Sequence, residues 1–186
     1  MVYRVAIVGH SQVPKRIQAI DGVETRIYRK PGARLANFNE YEEFQELFDW
    51  HHDLNIIFIG GNDIPSMPAK DIADELVALA RRFVALGQDV ALVLIEPRKY
   101  TGFSQEYADT YNLELARVNR KLKRLTQRQK ACYSLINYTA SPYHTGHTLD
   151  GVHFTPLCKT YIRAKMVGCI KHHIENPEHY NMLRQR

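Results

Sequence analysis

Two stretches, Leu54-Asn55-Ile56-Ile57-Phe58-Ile59-Gly60 and Asp89-Val90-Ala91-Leu92-Val93-Leu94-Ile95, are nearly continuous apolar runs. A strand with one wet face alternates apolar and polar residues. Unbroken runs belong to strands covered on both faces. A third apolar run, 3–9, ends in Gly9, and a weaker one covers 132–137. Residues 23–29, Val-Glu-Thr-Arg-Ile-Tyr-Arg, alternate instead and suit a strand near a sheet edge. Helical patterns fill the gaps. Asn39 and Glu42 have capping-box spacing ahead of Tyr41, Phe44, Leu47 and Phe48. Ile72, Leu76, Leu79, Ala80 and Phe83 share a helix face, and Gly87 supplies a stop. Residues 104–129 place Tyr107, Tyr111, Leu115, Val118, Leu122 and Leu125 at helical spacing. Thr155-Pro156 reads as the cap and first residue of a last helix running to about residue 175. Strand–helix alternation of this kind predicts an α/β protein with a parallel sheet between two helical layers.

At 186 residues the chain is long enough for a core without staples, burying about 70% of its unfolded surface. It reads as a single domain over 1–186, alone or within a longer protein. Cys132, Cys158 and Cys169 are odd in number and widely spaced, which fits a reducing compartment and no disulfide framework. The sequence has no signal-peptide pattern and no apolar stretch of membrane-spanning length, so an intracellular location is expected. The net charge is +5, and residues 112–130 carry +6 of it while the rest of the chain nets −1. Arg120, Lys121, Lys123 and Arg124 lie in that segment. They form either a solvated helix face or a contact for nucleic acid or another anionic partner.

In doubly wound sheets the reactive loops follow the carboxyl ends of strands. Four blocks meet that condition: Gly9-His10-Ser11, Pro31-Gly32-Ala33, Gly60-Gly61-Asn62-Asp63 and Asp150-Gly151-Val152-His153. Acyl transfer needs a nucleophile with a neighbouring base, a group that orients the base, and preorganised donors for the oxyanion. Ser11, His153, Asp150, Gly32 and Asn62 supply one residue type for each role.

These blocks, in this order, resemble the SGNH hydrolases, also called GDSL-like esterases and lipases. The resemblance spans residue 3 to about residue 174. Arg-Lys-Pro-Gly-Ala-Arg, Gly-Gly-Asn-Asp-Ile-Pro and Asp-Gly-Val-His-Phe-Thr are similar to compact esterase-like domains of animal genomes, some in retrotransposon reading frames. It implies a three-layer α/β/α sandwich with five parallel strands in the flavodoxin-like order 2-1-3-4-5. It implies Ser11 as nucleophile, His153 as base and Asp150 as its orienting partner. The oxyanion hole would comprise the Ser11 and Gly32 N–H groups and the Asn62 amide. No cofactor is implied, and the substrate would be a small ester. One residue departs from the pattern. His10 stands where that family usually has Asp shaping the nucleophile turn; a histidine there either replaces that Asp as hydrogen-bond donor and acceptor, misplaces Ser11, or titrates near neutrality.

The rival reading is a catalytically weak SGNH-like module that binds nucleic acid or a protein through the basic helix at 112–130. Other signals read as ordinary structure. His144 and His147 near Asp150 and His153 lack a zinc spacing, so no metal is expected. His51-His52 and His172-His173 read as surface histidines. Asp63 reads as a turn and cap residue that modulates the site. Tyr100, Phe103, Tyr107 and Tyr111 read chiefly as helix packing, with a substrate cleft as the other use.

Overall fold

The computed structural model describes residues 2–98, 104–127, 134–137 and 153–177. The strands are β1 (Tyr3–Gly9), β2 (Val23–Arg29), β3 (Leu54–Phe58), β4 (Asp89–Val93) and β5 (Ser134–Ile136). The α-helices are α1 (Glu42–Asp49), α2 (Ala69–Ala85), α3 (Gln105–Gln127) and α4 (Pro156–Glu175), and a 3-10 helix covers Leu35–Glu40. All strand pairs are parallel, in the order β2-β1-β3-β4-β5. The expected fold class is therefore the observed one.

The period-2 alternation of strand side chains sorts the core into two layers. Val5, Ile7, Leu54, Ile56, Phe58, Ala91 and Val93 face α4 and pack on Cys158, Ile162, Met166 and Ile170. Ala6, Val8, Ile57, Val90 and Leu92 face the other way, toward Phe44 and Leu47 of α1, Ile72, Leu76 and Phe83 of α2, and Leu115, Val118 and Leu122 of α3. Both faces are covered, which explains why β3 and β4 are buried throughout. The alternating strand β2 is an edge strand and is only partly buried.

The helix ends follow local chemistry. Thr155 caps α4, its hydroxyl accepting from Cys158 N–H at 3.4 Å, with Pro156 as the first helical residue. At the end of α2, Gly87 has φ +76, its N–H donates to Val84 O, and Gln88 N–H donates to Phe83 O. The capping box at Asn39 and Glu42 does not form. Tyr41 occupies the cap position without a side-chain bond, and Asn39 lies inside the 3-10 helix, where Oδ1 accepts from Arg82.

Two histidines read as surface residues are buried. His52 packs edge-on to Tyr28. His173 on α4 sits with Nδ1 3.4 Å from Asp89 Oδ2 and Nε2 3.1 Å from Ser134 Oγ. It joins α4 to the starts of β4 and β5. The basic helix α3 buries Leu115, Val118 and Leu122 as expected and exposes Arg120 and Arg124. Lys121 pairs with Asp74 of α2, and Arg117 with Glu114. No helix among the described residues is long and apolar enough to cross a membrane.

Candidate active site

β1 lies between β2 and β3 with all three parallel, so their carboxyl ends are neighbours. A Cβ on Gly9 would lie 1.9 Å from Phe58 O, so only glycine lets the end of β1 lie this close to its parallel neighbour β3. Its φ of +153 turns the chain, and His10 N–H then donates to Phe58 O at 3.2 Å. Ser11 follows on this turn, partly exposed. Arg29, paired with Gly9 in the β1–β2 register, grips Ser11 O through Nε at 3.3 Å and Nη2 at 2.9 Å.

After β2, Lys30-Pro31-Gly32-Ala33 forms a tight turn closed by Ala33 N–H to Lys30 O. Gly32 sits at the third position with φ +75, the geometry of a type II turn with proline second. The turn is exposed at Gly32. Asn62, after β3, reaches across to it: Nδ2 donates to Ala33 O at 3.0 Å. Asp63 holds the same two loops together. Its carboxylate accepts from Leu35 N–H at 2.8 Å and Ala36 N–H at 3.2 Å. Burial raises the Asp63 carboxyl above the usual carboxylate range, and those two bonds pull it back. It caps the 3-10 helix from another loop.

His153 is exposed, immediately before the buried Phe154. Gln12 anchors this segment to the turn at His10–Ser11: its Oε1 accepts from Phe154 N–H at 3.3 Å, across 142 residues of sequence. Asp150 lies outside the described residues, as do His144, His147, Tyr100 and Phe103. Ser11, Gly32, Asn62 and His153 are thus carried on loops tied to one another by side-chain bonds. No group of three or more His, Cys, Asp or Glu among the described residues could hold a metal ion.

His10 is buried, and of the readings its position allowed, titration near neutrality is not what its surroundings produce. Burial pushes it down to about 3, with Arg98, His153 and Arg29 adding repulsion. Nδ1 accepts from Gln12 N–H at 3.3 Å, so the ring proton resides on Nε2. Nε2 faces Glu96 Oε1 at 3.6 Å. Burial raises Glu96 to about 7, above its ordinary range. The ring packs on Phe58 with centroids 4.9 Å apart. A neutral imidazole therefore shapes this turn.

The segment after β4 completes the site, and sequence reasoning missed it. Two amides on one face of α3 clamp it like a neighbouring strand. Asn119 bonds both N–H and O of Ile95, at 3.0 and 2.9 Å, and Asn112 bonds both N–H and O of Arg98, at 2.9 and 2.7 Å. Arg98 then extends Nη2 to Asn62 Oδ1 at 3.2 Å and Gly61 O at 3.4 Å, and Nη1 to Tyr107 Oη at 2.8 Å. Its guanidinium lies 4.2 Å from the centre of the Tyr111 ring, and the Tyr111 hydroxyl donates to Gly61 O at 3.1 Å. Tyr107 and Tyr111 serve this scaffold. The available signal was the i, i+7 spacing of Asn112 and Asn119 on an otherwise amphipathic helix.

Asp89, His173 and Ser134 repeat the residue types of a catalytic triad, yet they lie at the amino ends of β4 and β5. The His173 side chain is fully buried, and the Ser134 hydroxyl also approaches Val90 O at 3.4 Å. These contacts tie helix to sheet.

No protein-family model matches the chain, and no curated protein matches it significantly. Solved structures do resemble it. A member of the lipolytic protein G-D-S-L family from Veillonella parvula DSM 2008 aligns with a TM-score of 0.69 at 16% identity, over 90% of this chain and 97% of that one. A lipase/acylhydrolase from Enterococcus faecalis gives 0.67 at 15%, over 92% and 96%. A carbohydrate esterase family 3 protein from Talaromyces cellulolyticus gives 0.70 at 12%, over 94% and 99%. At these identities the likeness is one of fold.

Proposed function

We propose that this chain, which has the fold of the SGNH hydrolases, is a serine esterase acting on small or short-chain esters such as O-acetyl groups. The observation that carries the reading is the tying of three strand-end loops and the His153 segment into one rim. Arg29 grips Ser11, Asn62 reaches Ala33, and Gln12 holds Phe154. Solved structures of this fold include proteins described as a lipase/acylhydrolase and a carbohydrate esterase.

In the mechanism, Ser11 Oγ attacks the ester carbonyl while His153 accepts its proton. Asp150 orients the imidazole and stabilises its charged form. Negative charge gathers on the former carbonyl oxygen, where the Ser11 and Gly32 N–H groups and the Asn62 amide donate to it. Collapse expels the alcohol, which takes the proton from His153, and leaves an acyl ester on Ser11. Water, deprotonated by His153, attacks that ester and releases the carboxylic acid and free serine. The neutral His10 contributes no charge to these steps. It fixes the turn through Gln12 N–H.

The test is fluorophosphonate labelling read by intact mass, on the native chain and on Ser11→Ala. A single adduct on the native chain that the variant lacks is the expected result. A folded native chain without an adduct would overturn the reading and move attention to α3, with binding of nucleic acid assayed after neutralising Lys121, Lys123 and Arg124.

A further inference from the structure

Asn62 is held at both ends of its amide. Its Oδ1 accepts from Arg98 Nη2 at 3.2 Å, and its Nδ2 donates to Ala33 O at 3.0 Å. Only one orientation of the amide satisfies this arrangement. A guanidinium has donors and no acceptor, and a backbone carbonyl has acceptors and no donor. Flipping Asn62 would set N–H against N–H and oxygen against oxygen. One hydrogen of Nδ2 goes to Ala33 O, and the second is the one an oxyanion can take.

Arg98 is itself built into place. Asn112 fixes its backbone on both sides, Tyr107 takes one arm of the fork, and the Tyr111 ring supports its face. We infer that Arg98 is a positioning residue for ester hydrolysis, acting through Asn62: it fixes the amide with Nδ2 toward the oxyanion and polarises it. The inference rests on the esterase reading above. The polarisation follows from charge: a cation on Oδ1 draws electron density from the amide and makes its N–H a stronger donor. Lysine would return the charge without the fork that reaches Tyr107, Gly61 and Asn62 together.

The test is a double-mutant cycle with p-nitrophenyl acetate, using the native chain, Arg98→Ala, Asn62→Ala and the double variant, with Arg98→Lys as the conservative replacement. Circular dichroism checks the fold of each. Arg98→Ala is expected to lower kcat roughly 10- to 100-fold with KM nearly unchanged, part of the effect of losing an oxyanion donor. In the Asn62→Ala background the same change is expected to cost little more, because the group it acts through is gone. Arg98→Lys should fall between the two. An undiminished kcat in Arg98→Ala, or an equal loss in both backgrounds, overturns the inference.

A second readout does not depend on turnover. The side-chain amide of Asn62 should give an ordered pair of NMR signals that broadens or shifts in Arg98→Ala. A pair unchanged by the substitution also overturns the inference. Hydrolysis by the native chain no faster than by Ser11→Ala overturns the esterase reading itself, and the Asn62 signals then report separately on whether Arg98 orders that amide.

Discussion

Nε2 of His10 lies 3.6 Å from Oε1 of Glu96, just beyond hydrogen-bond distance, with both side chains almost wholly out of water. Neither charge is favoured there. Glu96 Oε2 is buried without a partner among the described residues, and the His10 ring stays neutral. The pair sets opposite pH dependences. Glu96 moves up to about 7 from an ordinary 4.5, so the folded chain holds a proton that the unfolded chain has lost. Its contribution is complete below 4.5 and is lost as pH rises through 7. His10 falls to about 3 from 6.5, so its contribution is complete above 6.5 and is lost as pH falls toward 3.

Glu96→Gln removes the first effect alone. The variant should gain stability over the parent at pH 8, on the order of 3 kcal/mol at most from the linkage. The gain should vanish well below pH 4.5, where Glu96 is protonated in both states. Urea unfolding at the two pH values measures it. Equal differences at both would mean that Glu96 is not a titrating group of this fold.

His10 is already uncharged across the range in which an esterase of this kind would work. His10→Asn keeps an acceptor for Gln12 N–H, whereas His10→Ala removes it. The acid limb of the activity profile should keep its midpoint in His10→Asn, and its rate should exceed that of His10→Ala. A limb that disappears in His10→Asn would return His10 to the titrating role that its position in the sequence suggests.

Gln12 ties the turn at His10–Ser11 to the segment that begins at His153. Gln12→Ala removes the acceptor for Phe154 N–H, at about 1 kcal/mol of stability. On the proposed mechanism, displacing His153 by a fraction of its contact distance costs more in rate, so fluorophosphonate labelling of Ser11 should slow about 10- to 100-fold. Labelling at the parental rate would show that other contacts place His153.

Gly9 and Gly32 both have positive φ, but they should respond differently to alanine. At Gly9 the new methyl would overlap Phe58 O, and the end of β1 could no longer lie against β3, so Gly9→Ala should fail to fold. At Gly32 nothing lies within 4 Å of the added carbon, leaving only the left-handed backbone to strain, at about 1 kcal/mol. Thermal melts of the two variants distinguish crowding from strain. A Gly9→Ala chain that melts like the parent would contradict the close approach of β1 to β3.

The layers of this fold were legible in residue order because burial on two faces writes itself as periodicity. The unbroken runs at 54–60 and 89–95 are the covered strands β3 and β4, and the alternating run at 23–29 is the edge strand β2. The placement of Ser11, Gly32 and Asn62 after strands was legible for the same reason, since strand ends can be counted along the chain. Their order and spacing also carried the resemblance that set the strand order.

What the sequence could not convey was the environment of the polar residues. Nothing local distinguishes the buried His52 and His173 from their exposed neighbours His51 and His172. By residue type His10 is a group that can titrate near neutrality, and only its burial, with Arg98, His153 and Arg29 adding repulsion, keeps it neutral. Gln12 and Phe154, or Asn62 and Arg98, are partners across long stretches of chain that no periodicity links. Periodic patterns report which face of an element is dry, because that depends on neighbours a few residues away. Hydrogen-bond partners and charge states depend on which elements fold against each other, and that is decided in three dimensions.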